Sequence, residues 1–591
     1  MTNRETSQAV LSPRDDQIRC IALNLLLFVL LAGVTFLQYR KNYQGLRLPQ
    51  AMENAQLARN IVQGNGFRTN VIRPIGLARN SHLVRNVGEE IRSDHPDMMN
   101  PPVFPLVTAL LFALGGARDL TASLASFLAC VLTGLMTYLL ARRLFNARIA
   151  LWSVAVFWIL PSTITLQFAG IAAPWAAFVT TALFWMLAGL RRGEEVSELE
   201  EPGPRPLSDR TALGMGALFG LCYLSQYSLI ALTLPILVYL YIMQRPRATR
   251  PIALFLIGFI AVTSLWMLRN LRVAHNPVFS LHQYEMMAGT SQFAGESVYR
   301  YWENVGQPVI YSITHPKTTL KRMIVNTFQM YQSFPNIVGI YLMPLFLITL
   351  LLSFRQPLQD RLKMLIGACL AFFALNLSFV KADTSLLFAL TPALMIYGLT
   401  LPLRLIESLR LKPLANTLIS AFFFVWLLFP TAAQLALGAA PQRDPLTPAY
   451  ETLREQPARV VITDMPWSIA WQTNRIAIWL PVDSANFCRQ MPAVEGILLT
   501  AFGGYNDPDT ALWGQALQSI VSLGAPTPQQ LRSLTPEQRL QLQQMQTEAV
   551  KRVIPVGFAD PRVQIITQGQ RKQLAYVLWT RSRNSAASQK P

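Results

Sequence analysis

Charge is what this sequence has least of. Only 14% of its 591 residues are charged, against 52% hydrophobic, and the mean hydropathy is +0.31. A soluble domain carries about 25% charged residues. The deficit, together with repeated long apolar runs, excludes a single soluble enzyme and points to a chain dissolved in a bilayer. Cysteine is also scarce: Cys20, Cys130, Cys222, Cys369 and Cys488 are scattered, the first four inside apolar runs. That excludes a disulfide framework or a zinc cluster built from neighbouring thiolates. No internal repeat and no pair of matched, interrupted halves is visible, so neither a solenoid nor an inverted-repeat transporter is indicated. Acidic residues are outnumbered, 32 against 51 basic, for a formal net charge of +19. In a membrane protein Lys and Arg gather in cytoplasmic loops for reasons of insertion, so no nucleic-acid partner is expected.

What is present is a ladder of apolar segments. A polar lead, residues 1–17, precedes the stretch Ile18 to Gln38, which is too long for a signal-peptide core and reads as a retained first span. Further runs occupy 121–141, 149–169, 171–190, 211–228, 229–243, 251–269, 336–354, 362–380, 383–403 and 414–436, giving about eleven spans by length and hydropathy. The basic loops are Arg142/Arg143/Arg148, Arg191/Arg192, Arg245/Arg247/Arg250, Arg355/Arg361/Lys363 and Arg404/Arg410/Lys412. Each successive pair is separated by two spans, so all five fall on one side, the cytoplasm by the positive-inside rule. The run Val103 to Leu114 is short for a crossing and suits a re-entrant or interfacial helix, which keeps the count consistent.

The expected architecture is a mostly α-helical, polytopic membrane protein. A cytoplasmic N-terminus (1–17) leads into a transmembrane domain (18–436) with outer loops 39–120 and 270–335. An extracytoplasmic α/β domain (437–591) follows. Within this tail, 459–463, 475–480, 494–500, 563–567 and 573–579 have strand character, while 466–474 and 528–550 have helical character. The loop from Gly193 to Arg210, acidic and proline-containing, reads as a cytoplasmic connector.

In the first outer loop, Leu48, Met52, Ala55, Ala58 and Val62 recur at helical spacing, with Glu53, Gln56, Asn60 and Gln63 on the other face. Pro49 suits the first turn, and Gly64 and Gly66 end the helix. The spacing predicts a helix lying in the membrane surface, its polar face turned to water or to a site. All five histidines (His82, His95, His275, His282, His315) lie in the two outer loops. None has the spacing of a zinc motif, so no metal is assigned, although Asp94 and Asp97 flank His95. The aromatic residues of the second loop, among them Tyr284, Tyr299 and Trp302, are expected at an interface whether or not they stack on sugars.

The string Ala51-Met-Glu-Asn-Ala-Gln-Leu-Ala-Arg-Asn-Ile-Val-Gln-Gly-Asn-Gly-Phe67, followed by His95-Pro-Asp97 and Asn100-Pro-Pro-Val-Phe-Pro105, resembles the first loop of GT-C membrane glycosyltransferases. The likeness is to the branch holding dolichyl-phosphate-mannose protein mannosyltransferases and the lipid A aminoarabinose transferase. It continues through Ala141-Arg-Arg-Leu-Phe145, Gly220-Leu-Cys-Tyr-Leu-Ser-Gln-Tyr227, Trp266-Met-Leu-Arg-Asn270 and Asn276-Pro277, over about the first 400 residues. The resemblance implies an integral, inner-membrane enzyme that moves a sugar from a polyprenyl-phosphate carrier to a hydroxyl of a lipid, glycan or protein at the outer face. Its partners would be membrane lipid, the carrier-linked donor and the acceptor, with no further cofactor. Such a reaction needs a carboxylate to deprotonate the acceptor and cations to hold the departing phosphate.

Two positions depart from the family pattern. Gln50 stands where the family carries an acid, so Glu53, with Asp97 as a second choice, is the expected base. Lys381, in Lys381-Ala-Asp-Thr-Ser-Leu386, stands where an Arg-Tyr pair often enters a late span. Gln50, Arg59, Arg73, His95, Arg269 and Lys381 are the expected substrate-binding residues. For Arg73 and Arg269, contact with lipid headgroups is the competing reading. Two other functions stay open: a non-catalytic relative that has lost its base, and a lipid or solute transporter, the latter disfavoured because the spans hold almost no ionisable residues.

Overall fold

The computed structural model describes residues 29, 32–41, 43–80, 95–190, 207–354, 356–381, 383–409, 413–437, 444, 446–500, 535, 537–538, 541, 558–568 and 571–581. Most of the expected first span, Asp94, most of the acidic connector and most of the expected helix 528–550 lie outside these residues, as do His82, Arg191, Arg192, Arg355, Arg410 and Lys412. Helices dominate the rest. Among the described residues, five are long and apolar enough to cross a membrane: Asp119–Leu144, Tyr227–Gln244, Thr249–Ala274, Pro357–Val380 and Thr384–Ser408. A sixth is counted if Pro316–Val338 and Leu342–Leu351, bent by 104°, are taken together.

Eleven were expected; most of the first lies outside the described residues, and two of the other runs are broken for local reasons. The run 149–169 is two helices, Ala147–Ile159 and Pro161–Leu166, because Pro161 has no N–H to continue the ladder. The run 336–354 straddles the bend, where Pro335 precedes Gly339, whose φ of +98° is open to glycine and costly for other residues. The helix Val103–Gly115 has 13 residues, about 20 Å of length against a hydrocarbon core of about 30 Å. Its Leu106, Leu110 and Leu114 face outward while Phe104, Thr108 and Phe112 are buried.

Helix Asp209–Ser225 packs on Thr249–Ala274 through glycines. A Cβ at Gly216 would overlap the Phe255 carbonyl oxygen, and one at Gly258 the Leu213 carbonyl oxygen. Small residues here let two backbones touch, the usual source of helix affinity where lipid removes the hydrophobic drive. At one end of the bundle three of the basic regions meet, around residues 144–148, 359 and 404–407. Arg148 pairs with Glu407 at 3.1 Å, Gln359 donates to the Leu144 carbonyl at 2.5 Å, and Arg404 donates to Gln359 at 3.2 Å.

At the other end sits a six-stranded sheet: β1 (Val71–Ile72), β2 (Val460–Thr463), β3 (Ile476–Trp479), β4 (Gly496–Thr500), β5 (Phe558–Gln568) and β6 (Arg571–Arg581), in the order β1-β3-β2-β4-β6-β5. β1, β3, β2 and β4 are parallel, while β6 runs antiparallel to both β4 and β5. Side chains alternate between two buried faces. Ile72, Ile462, Ile478 and Ile497 fill one, and Val71, Val461, Ala477 and Leu498 fill the other, as expected of parallel strands covered on both sides. The tail is therefore not closed on itself at residue 437. Its edge strand comes from the first outer loop, with Val71 opposite Ala477 and Ile72 opposite Ile478.

Candidate active site

The first-loop helix spans Pro49–Val62, with proline in its first turn as the sequence predicts. Its setting differs from the expected surface helix. Glu53, Asn54, Gln56 and Asn60 are buried along with Ala51, Met52, Ala55 and Ala58. The polar face is turned inward onto the segment that follows. Asn60 donates to the Arg68 carbonyl at 2.8 Å, and Thr69 donates to Gln56 Oε1 at 3.2 Å. That segment runs directly into β1 and then into Arg73.

Arg73 grips Glu53 with both terminal nitrogens, at 2.6 and 2.8 Å. The guanidinium also lies 5.8 Å from the centre of the Tyr299 ring. Burial by itself would raise the Glu53 carboxyl, but Arg73 outweighs it and holds Glu53 ionised, below its ordinary range. Asp97 accepts from the Met99 and Asn100 amides at 3.1 and 2.8 Å and from Asn100 Nδ2 at 3.2 Å. Burial and the nearby Glu53 charge nevertheless push it up to about 6. His95 is buried and pushed down to about 4 by desolvation, so it is neutral at physiological pH.

Other motifs quoted from the sequence converge here. Arg269 donates to the Asp97 carbonyl at 2.5 Å and lies over the Phe67 and Trp266 rings. Trp266 Nε1 donates to Tyr227 Oη at 2.8 Å, and Tyr227 reaches the Asn100 carbonyl at 3.4 Å. The second loop joins through Leu281 N, which donates to the Met98 carbonyl at 2.9 Å.

Beside this layer lies a cavity of about 480 Å³. Its lining includes the apolar side chains of Ile230, Phe259, Met267, Leu377 and Leu386, carried by helical segments, and the polar groups of Gln50, Asn54, His282, Glu285, Lys381 and Asp383. Of the eight residues expected from sequence, Gln50 and Lys381 stand on the cavity wall. Glu53 and Asp97 do not: Glu53 is committed to Arg73, and Asp97 to backbone and amide donors next to Pro101, which lines the wall. Arg73, Arg269 and His95 belong to the same backing layer. Arg59 is elsewhere, donating to the Ala470 and Trp471 carbonyls at 2.7 and 2.8 Å and covering the Trp471 ring. It ties the first-loop helix to the tail.

The sequence reading missed Glu285. It is buried, with Oε1 3.1 Å from His282 Nδ1 and 3.9 Å from Lys381 Nζ. Burial would raise its carboxyl, but His282 and Lys381 hold it ionised and below the usual range. Lys381 also meets Glu296 at 2.6 Å, and the two carboxylates raise it despite its own burial. The only local signal was the spacing of three between His282 and Glu285. Among the described residues no group of three or more His, Cys, Asp or Glu is placed to hold a metal ion.

Residues 94–267 match the protein family described as dolichyl-phosphate-mannose-protein mannosyltransferase. The archaeal oligosaccharyltransferase AglB from Archaeoglobus fulgidus, solved in complex with an inhibitory peptide and a dolichol-phosphate, shares the fold at a TM-score of 0.51 and 11% identity. The match covers 80% of this chain and 69% of that one. ArnT from Cupriavidus metallidurans, solved bound to undecaprenyl phosphate, is matched over 94% of this chain and 98% of its own, at a TM-score of 0.44 and 14% identity. No curated protein matches the chain in sequence.

Proposed function

We propose, for a chain that shares the GT-C glycosyltransferase likeness in its loop motifs, its family match and its fold, that it transfers a sugar from a polyprenyl-phosphate carrier to a hydroxyl acceptor at the outer face of the membrane. The observation that carries this reading is the mixed lining of the cavity. A polyprenyl phosphate sugar is a long hydrocarbon with an anionic, polar head, and one cavity brings apolar helix side chains such as Phe259 and Met267 together with Gln50, Asn54, His282 and Lys381.

In this reading Lys381 neutralises the carrier phosphate, exchanging its contact with Glu296 for the anion. As the sugar–phosphate bond breaks, negative charge builds on the phosphate oxygen, and a fixed ammonium stabilises it more than in the ground state. Gln50 and Asn54 supply hydrogen bonds to the sugar hydroxyls. Glu53–Arg73 and Asp97, held by Met99 and Asn100 and reached through its carbonyl by Arg269, form the layer that holds the wall in register.

The test is transfer of label from a polyprenyl-phosphate sugar to endogenous acceptor in membranes that carry the protein. Lys381→Ala is expected to reduce kcat/KM by about 100-fold, a loss of about 3 kcal/mol of transition-state stabilisation, and Lys381→Arg to keep part of the activity. An unaltered Lys381→Ala enzyme removes this residue from the site. A non-catalytic relative is the second reading, and Gln50 on the wall favours it; in that case wild-type membranes transfer no label from any donor.

A further inference from the structure

The cavity lining holds four Asp, Glu, Lys or His side chains, and three already have duties. Lys381 is held as a cation between Glu285 and Glu296. Asp383 Oδ1 accepts from the Ser385 amide at 3.0 Å and from the Ser385 hydroxyl at 2.7 Å, capping the turn that follows. Glu285 is engaged by His282 and Lys381. His282 remains. It lies in the short 3-10 turn Leu281–Met286, with Ser280 accepting from its amide at 3.3 Å, and its side chain keeps 36% of its exposure. Once Nδ1–H donates to Glu285, the lone pair left on the ring is on Nε2.

We propose that His282, oriented by Glu285, is the group that takes the proton from the acceptor hydroxyl. This rests on the glycosyl-transfer reading above. The imidazole–carboxylate pair supplies the base that the amide of Gln50 does not. In the step, the acceptor O–H breaks and its proton goes to Nε2. The acceptor oxygen bonds to the sugar's anomeric carbon while the bond from that carbon to the carrier phosphate breaks, its electron pair leaving on the phosphate beside Lys381. The imidazolium then gives its proton to water. Glu285 is a positioning residue here: it fixes the tautomer and steadies the cation that forms. The charged groups around His282 are Glu285 on its own turn, Lys381 and Asp383 on the segment after helix Pro357–Val380, and Glu53 from the first-loop helix.

The experiment uses the full-length protein in proteoliposomes with native acceptor lipid extract. The donor is whichever of the polyprenyl-phosphate derivatives of mannose, glucose or aminoarabinose the wild type consumes. His282→Ala should lower kcat by about 100-fold or more with little change in donor KM, and added imidazole should restore part of the rate. Glu285→Gln should cost less, about 10-fold in kcat with donor KM retained, because the imidazole without its carboxylate is no longer held in one tautomer. A wild type that consumes no donor overturns the transfer reading and this inference with it. An active wild type whose kcat survives His282→Ala overturns the inference alone, as does a loss that imidazole leaves untouched while donor KM is retained. Should His282→Ala not fold, Glu285→Gln decides, and an unchanged kcat is the negative result.

Discussion

Glu53 and Arg73 are each conspicuous in the sequence, one as a carboxylate on a polar helix face, the other as a cation in an outer loop. Nothing in their spacing joins them. They meet because β1 docks on the tail and delivers Arg73 to the buried face of the first-loop helix, where the two close a bidentate pair. A pair enclosed this far from water is costly to break singly, since the survivor stays charged and unpaired. Arg73→Met is expected to destabilise the protein by about 3–5 kcal/mol, and Glu53→Gln by a comparable amount. The double variant should regain a large part of that, which a double-mutant cycle of thermal unfolding in detergent would measure. The pH dependence has a definite sign. Because the folded-state Glu53 carboxyl sits below its ordinary value of 4.5, its contribution is fully present above about pH 4.5 and is lost as pH falls through the folded-state value. Glu53→Gln should remove that acid sensitivity. A Glu53→Gln protein that loses stability in acid as the wild type does would count against the pair.

Elements show where local rules held and where packing overrode them. The uninterrupted runs at 121–141, 251–269 and 362–380 became single helices, Asp119–Leu144, Thr249–Ala274 and Pro357–Val380. Continuous hydropathy with no proline beyond the first turn leaves a chain in lipid no other way to satisfy its backbone. The strand patterns near 460, 476, 496 and 573 held as well, because strands covered on both faces read as short, largely aliphatic runs between turn residues. The two-residue strand β1 carries no such signal; it exists only by pairing with β3. Helix contact is similarly silent in hydropathy. Gly258→Ala places a methyl group against the Leu213 carbonyl and should destabilise by about 1–3 kcal/mol through forced separation of the helices. Gly214→Ala, whose nearest neighbour would be the Met186 methyl at 3.7 Å, is the control, expected to be near neutral. Equal thermal shifts for the two would contradict the close crossing.

Over the whole molecule, the sheet sets a constraint that span counting alone does not. Since β1 comes from the first outer loop and β3 from the tail, loop 39–120 and the tail share one side of the membrane, whatever the number of crossings between them. Three of the basic regions gather at the opposite end, through Arg148–Glu407 and Gln359–Leu144. The positive-inside rule then predicts a sheet on the outer side. Gln490→Cys, exposed beside β4, should be labelled by a membrane-impermeant maleimide in intact cells, and Arg247→Cys only after lysis. The four described native cysteines are buried and should contribute little; labelling of Arg247→Cys in intact cells would invert the orientation. The sequence by itself determined the membrane character, the course of the unbroken helices, the clustering of basic loops and the strand-rich tail, because composition and periodicity are properties of short stretches. Only the tertiary structure decided that Glu53 is spent on Arg73, that Arg59 fastens the tail, and that His282 and Glu285 share a wall with Gln50 and Lys381. Those placements join residues 20 to more than 300 positions apart, and no local pattern encodes which of many compatible partners a packed chain brings together.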